Sequence, residues 1–371
     1  MHGMKYMWML IFMVLPLVAL AYVGWHVWTL VPLPRIWRGA IIAFGVASFL
    51  MIFLNLGHVI DRMPMWLARW CYDIGNSSIF VLMYMVIIFL VLDLCRLLHL
   101  LRPEWLHQNF YATAIITGGL FVVFLAGNII YNNKVRETLT LTTQKPLSKP
   151  LKLVMMSDLH LGYHNPKKEL HRWVEMINSE QPDYVFIAGD IIDMSLRPLV
   201  EENMAEEFRR IKAPVYACLG NHEYYSGRPE ALLFYRDAGI RLLRDTCEVS
   251  GDLCIIGRDD RTNPHRKSLD ELVAEAKPAT GKYTIVLDHQ PYLLEEAEQA
   301  GIDFQLSGHT HRGQVWPISW ITDALYECSF GEHQRGNTRY YVSSGIGIWG
   351  GKFRIGTQSE YVCATLVKSE E

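Results

Sequence analysis

Residues 151–160 read LKLVMMSDLH, an apolar run of strand length that stops at an aspartate and a histidine two positions apart. The pattern returns down the chain. YVFIAG (184–189) gives way to Asp190, with Asp193 beyond it, and PVYACLG (214–220) to Asn221, His222 and Glu223. YTIVLD (283–288) leads to His289, and FQLSG (304–308) to His309 and His311. A sixth run, YYVSSG (340–345), has no such ending. Short apolar runs alternating with amphipathic helical patterns mark an α/β domain. In open α/β sheets ligands sit outside the carboxyl ends of the strands, so five such ends are expected to converge on one crevice.

Residues i and i+2 share a face of an extended chain, so strand alternation is expected to aim Asp158 with His160, and His309 with His311, at one site. Glycines before Asp190, Asn221 and His309 are expected to let the backbone turn tightly. Oxygen and nitrogen donors without thiolates favour Mn²⁺, Fe or Zn²⁺ over softer metals. Seven donors exceed the needs of one ion, which implies two ions sharing a carboxylate. Asp193 reads as a brace for the site and His164 as a surface-loop residue. Arg258, Arg261, His265, Arg266 and Lys267 read as a solvated basic loop.

The 371 residues are 50% hydrophobic and only 20% charged, too apolar for an ordinary soluble chain. The excess is concentrated: residues 1–132 hold 11 charged side chains. Four charge-free stretches, 6–34, 39–60, 74–92 and 105–133, are each long enough to cross about 30 Å of hydrocarbon as a helix. Trp25, Trp28, Trp37, Trp66, Trp70 and Trp105 fall near their ends, as interfacial anchors do. The first stretch is too long for a signal peptide, and no small-residue cleavage pattern follows it. Asp93 and Arg96 mark where the third helix leaves the hydrocarbon, with Arg96 snorkelling outward.

Flanking cations favour the side carrying both termini of the bundle, Lys5, Arg62, Arg69, Lys134 and Arg136 against Arg35, Arg38, Arg96 and Arg102, which places the second half in the cytoplasm. Five cysteines there, without framework spacing, suit a reducing compartment. The expected organisation is a four-span region over 1–133, a linker over 134–150 in which 139–143 can form a first edge strand, and a catalytic domain over 151–371.

DxH at Asp158 and His160, GDxxD at Asp190 and Asp193, GNHE at 220–223, a lone histidine at 289 and GHTH at 308–311, in that order, resemble the calcineurin-like metallophosphoesterase family over residues 137–371. The resemblance implies two packed mixed sheets flanked by helices. It also implies one metal held by Asp158, His160, Asp190 and His311, and a second held by Asp190, Asn221, His289 and His309. Asp190 would bridge them and His222 would steady the phosphate and protonate the leaving oxygen. A hydroxide between the ions would attack phosphorus in line. Where such sequences often carry glycine after the second histidine, this one has Arg312, set either toward a substrate phosphate or toward solvent.

Residues 133–371 carry 28 Lys and Arg against 34 Asp and Glu, so a nucleic-acid footprint is absent. Trp316, Ile318, Trp320, Ile321, Trp349 and Phe353 lie close in sequence to GHTH, as core or as an apolar mouth for acyl chains. The expected protein is a membrane-anchored phosphoesterase with two divalent ions, Mn²⁺ favoured, acting on a phospholipid or a lipid-linked nucleotide or sugar phosphate, with the bilayer as partner. Two readings stand beside it. One is hydrolysis of a soluble nucleotide or phosphodiester, with the helices as anchor. The other is a non-catalytic, metal-binding regulatory membrane protein.

Overall fold

The computed structural model describes residues 2–276 and 281–369, and the chain divides into two compact units at Ala126/Gly127. Four helices open it: α1 (His2–Leu30), α2 (Arg35–Leu56), α3 (Met65–Leu97) and α4 (Phe110–Asn132). Among the described residues α2, α3 and α4 are long and apolar enough to cross a membrane, and Val14–Leu30 of α1 is a shorter apolar segment. Helix α3 outruns the charge-free stretch 74–92 at both ends, because Arg69, Asp73, Asp93 and Arg96 continue the helix instead of ending it.

Asp93 is more than an exit marker. Its Oδ2 accepts from Tyr22 at 2.8 Å and lies 3.0 Å from His26 Nε2, while Arg96 stands 3.7 Å from Oδ1. His26 is buried and stacks on Phe89. This polar knot ties α1 to α3, and snorkelling of Arg96 alone does not describe it.

The second unit is built on twelve strands. They are β1 (Val135–Thr143), β2 (Leu151–Met156), β3 (Tyr184–Ala188), β4 (Val215–Cys218), β5 (Arg241–Leu242), β6 (Thr246–Ser250), β7 (Leu253–Gly257), β8 (Tyr283–Leu287), β9 (Phe304–Ser307), β10 (Gly331–Arg335), β11 (Thr338–Val342) and β12 (Glu360–Lys368). One sheet runs β1-β12-β2-β3-β4-β5 and the other β10-β11-β9-β8-β7-β6. In the first, β2 to β5 are mutually parallel and β12 is antiparallel to β2. In the second, β7, β8, β9 and β11 are parallel between antiparallel edges.

The sheets meet face to face through Leu153, Met155, Phe186, Ile255, Ile285 and Phe304. Alternate residues such as Val154 and Ile187 pack outward against α5 (Lys167–Ser179) through Trp173 and Ile177. Burial on both faces explains why the central strands read as continuous apolar runs and not as alternating ones. It also aligns the carboxyl ends of β2, β3 and β4 with those of β8 and β9.

Candidate metal centre

All five chemical strand ends meet. The first sheet delivers Asp158 and His160 after β2, Asp190 after β3, and Asn221 and His222 after β4; the second delivers His289 after β8 and His309 and His311 after β9. Asp158, His160 and His311 form one group of possible metal ligands, and Asp190, His289 and His309 another. In the first, the Nε2 atoms of His160 and His311 face each other at 3.1 Å, with Asp158 Oδ1 3.4 Å from His311 Nε2. In the second, His289 Nε2 lies 3.1 Å from Asp190 Oδ2, and Nδ1 of His309 lies 2.9 Å from Oδ1 of Asn221. Asp190 Oδ2 is also 3.7 Å from His160 Nε2, so this carboxylate stands between the groups.

The donors fit divalent cations on grounds internal to the structure. Nδ1 of His289 donates to the Ala188 carbonyl at 2.7 Å, which leaves its buried Nε2 without a hydrogen-bond partner and directed at Asp190. A backbone carbonyl accepting from the far ring nitrogen is how the tautomer of a metal-binding imidazole is fixed. Burial alone would raise Asp158 and Asp190, yet the neighbouring imidazoles His311 and His289 hold both carboxyls below their usual range. Burial works against a charged His160, but Asp158 and Asp193 raise it to about 10. His309 and His311 are pushed down by burial, to about 4 and about 3. Ionised carboxylates beside the neutral imidazoles of His309 and His311 suit a hard or borderline cation, while the same carboxylates hold a proton on His160 and on His289 that a bound cation would displace.

The backbone that brings these groups together is not extended. Asp158, His160, Asp190, His309 and His311 all have positive φ, between 44° and 71°, so strand alternation is not the device that aims the paired residues. The strands have already ended at Met156 and Ser307, and each pair sits on a left-handed loop. Such conformations cost roughly 1–3 kcal/mol apiece and persist where surrounding contacts over-determine them.

The glycines also act differently from expectation. Gly189 does turn, with φ of 77°. Gly220 and Gly308 instead admit close approach: a Cβ would stand 2.1 Å from Asp190 Oδ1 at the first and 2.3 Å from Asp158 Oδ2 at the second.

A buried shell supports the donors. Asp193 Oδ1 lies 3.3 Å from Nδ1 of both His160 and His222, the bracing position. These three also form a possible ligand group of their own. Glu223, to which the sequence reading assigned no role although it stands within GNHE, accepts from the backbone amides of Gly220 (2.7 Å), Ile192 (3.0 Å) and Asp190 (3.2 Å). Burial, with the Asp190 charge next, pushes its carboxyl up to about 7. Arg354, fully buried, donates to the carbonyls of His311 (2.7 Å), Ser344, Gly345 and Gly347 and so fixes the loop behind His311. No local motif marks Arg354; only its distant partners reveal it.

Two surface readings are corrected. His164 is buried, its Nε2 against the Ile348 carbonyl, because the segment after β11 folds over it. Arg258 and Arg266 are not solvated: both reach Asp288 at 3.0 Å, and Arg258 also reaches Glu296 at 2.8 Å, since the buried Asp288 carboxylate needs cationic partners. Arg312 lies with its guanidinium 4.6 Å over the Phe330 ring. Trp316 and Trp320 pack edge to face and are 37% and 65% exposed, so they are surface and not core.

A family model described as calcineurin-like phosphoesterase matches residues 151–313. The chain is 31% identical over 262 residues to an uncharacterized metallophosphoesterase of Campylobacter jejuni, spanning 69% of each chain. To one from Aquifex aeolicus it is 32% identical over 239 residues, 62% of this chain and 90% of that one. A transmembrane protein with metallophosphoesterase domain from Danio rerio is 27% identical over 352 residues, 88% of this chain and 79% of that one.

Proposed function

This chain belongs to the metallophosphoesterases, and from that membership we propose a membrane-embedded phosphoester hydrolase that works with two divalent ions on an acyl-bearing substrate, a phospholipid or a lipid-linked nucleotide or sugar phosphate. The observation that carries this reading is the convergence of buried oxygen and nitrogen donors from both sheets on Asp190. Asp158, His160, Asp190 and His311 hold one ion, and Asp190, Asn221, His289 and His309 the other. Mixed carboxylate, carboxamide and imidazole donors suit Mn²⁺, Fe or Zn²⁺, and manganese is the ion proposed here. Bound there, the ions lower the pKa of water and offset charge on the attacking and leaving oxygens.

The remaining roles fall to side chains of this chain. His222, whose amide donates to Asp190 Oδ1 at 2.9 Å, steadies the substrate phosphate and protonates the departing oxygen. Asp193 keeps the rings of His160 and His222 in register. An acyl-bearing substrate is supported by the exposed apolar face of the helix Ile318–Leu325, where Trp320, Ile321 and Leu325 join Trp316 a few residues beyond His311. A relative carrying the same domain is named a transmembrane protein, which supports placing the reaction at a membrane.

The test uses full-length protein in detergent, reloaded with Mn²⁺, assayed on a lipid phosphoester and on a small chromogenic phosphodiester. Both should turn over. Trp316→Ser with Trp320→Ser should lose most lipid turnover while keeping the chromogenic reaction, because productive placement of a long substrate draws on remote binding energy. Equal lipid turnover by that variant would move the assignment to a soluble substrate.

A further inference from the structure

Helix α4 runs from Phe110 to Asn132, and its end, residues 127–132, belongs to the catalytic unit. Two lines of hydrogen bonds lead from that end to the loops that carry candidate metal ligands. In the first, the buried Tyr131 hydroxyl donates to Oδ1 of Asn165 at 2.6 Å. Asn165, buried as well, turns its Nδ2 to the carbonyls of Leu159 and His160, each at 3.1 Å. In the second, the Gly127 carbonyl accepts from the Arg354 amide at 2.9 Å, and the Arg354 guanidinium donates to the His311 carbonyl at 2.7 Å. A Cβ at residue 127 would stand 2.9 Å from Ile355 Cγ1, so the helix is seated closely against that segment. Lys134 pins the helix end itself, its ammonium 2.6 Å from the Tyr131 carbonyl and 3.5 Å from the centre of the Tyr131 ring.

We propose that the end of α4 sets the affinity of one metal site, the one assigned to Asp158, His160, Asp190 and His311, with Tyr131 as a positioning residue that acts through Asn165. The inference rests on the two-ion reading above. Both lines finish on this ligand set, at His160 and at His311, whose Nε2 atoms face each other at 3.1 Å. Both residues are left-handed, with φ of 44° and 48°, and such backbone persists only where its surroundings hold it. With Oδ1 taken by the Tyr131 hydroxyl, the Asn165 amide presents Nδ2 to the two carbonyls. Removing the hydroxyl frees the amide to rotate and loosens the loop that aims His160. Helix α4 is long and apolar enough to cross a membrane, so a displacement of that helix would register as a change in metal loading.

The test chelates full-length protein in detergent, titrates it with Mn²⁺ and counts the bound ions. The unaltered protein should take two. Tyr131→Phe, which deletes one oxygen, should weaken one ion about 10- to 100-fold and leave the other as it was. Excess Mn²⁺ should then restore turnover of the chromogenic diester, a recovery that general loosening of the fold would not give. Asn165→Ala should reproduce the selective loss, and adding Tyr131→Phe to it should change nothing further, because residues acting in series are not additive. Asn132→Ala, which removes a side chain bonded to Asn128 within the helix, should keep both affinities.

Unaltered affinities in Tyr131→Phe, equal weakening of both ions, turnover that excess Mn²⁺ does not restore, or additive losses in the double variant would each overturn the inference. Fewer than two ions in the unaltered protein would overturn the two-ion reading and the inference with it, which keeps the two failures apart.

Discussion

Asp190 lies within reach of both imidazole groups, with Oδ2 3.1 Å from His289 Nε2 and 3.7 Å from His160 Nε2, and its other oxygen is taken by the His222 amide. Replacing it with asparagine keeps the shape and removes the shared charge. Asp190→Asn should drop metal content from two ions per chain to one or none by elemental analysis, and lower turnover by about 10²-fold or more; two ions with near-normal turnover would remove Asp190 from the bridge. Arg312 poses a different question at the same scale. Its φ of 49° suits glycine better than arginine, and Phe330 occupies one face of its guanidinium. Arg312→Gly should therefore leave the metal-free protein as stable or steady it by about 0.5–1 kcal/mol, while KM for the phosphoester rises roughly 3- to 10-fold. An unchanged KM would confine Arg312 to its stacking on Phe330. The seven donors were legible in the sequence as residue types after apolar runs. Glu223, Arg354 and the burial of His164 were not, because their roles come from backbone groups contributed by other parts of the chain.

At the scale of the element, central strands are visible as apolar runs, YYVSSG included although nothing reactive follows it. β2, β3, β4, β8 and β9 fall within five of the six apolar runs, β11 overlaps the sixth, and the proposed edge at 139–143 extends back to Val135. β12, which lies between β1 and β2 and pairs with β1 over nine residues, and β7 are not among those runs. Loop geometry was misjudged because period-two alternation holds only while the chain is paired, and pairing stops before each ligand. The glycines are where sequence and element meet. Gly220 has an ordinary extended φ of −111°, so alanine is permitted by the backbone, yet its Cβ would stand 2.1 Å from Asp190 Oδ1 and 2.6 Å from the Asp190 nitrogen. Gly220→Ala, which changes no ligand, should weaken metal binding about 10- to 100-fold and cost roughly 1–3 kcal/mol of stability, measured by metal titration and by melting of the chelated protein. Unaltered metal affinity would show that Asp190 can move without loss.

For the whole molecule, the sharpest physical division is that between solvents. The helices among residues 14–132 expose many large apolar side chains, including Phe44, Phe53, Leu97 and Phe121, a density that suits hydrocarbon. A cytoplasmic orientation of the catalytic unit, which a narrow excess of flanking cations favours, is a proposal with a direct test. The native cysteines of the catalytic unit are buried or half-buried, so they give little background. An impermeant thiol reagent should fail to label Arg236→Cys, at a position where the arginine side chain is 71% exposed, until the cells are broken; ready labelling of intact cells would place the unit outside. Composition and order determined that the chain has an apolar helical half and an α/β half, because charge-free length and strand-length apolar runs are local properties. They also mark the candidate ligand residues, since those follow directly on the runs. Which of these side chains lie together is decided by tertiary structure: three strand ends from one sheet and two from another must be brought side by side before His160 can face His311, and that registration depends on packing between the sheets, for which no local stretch of sequence is responsible.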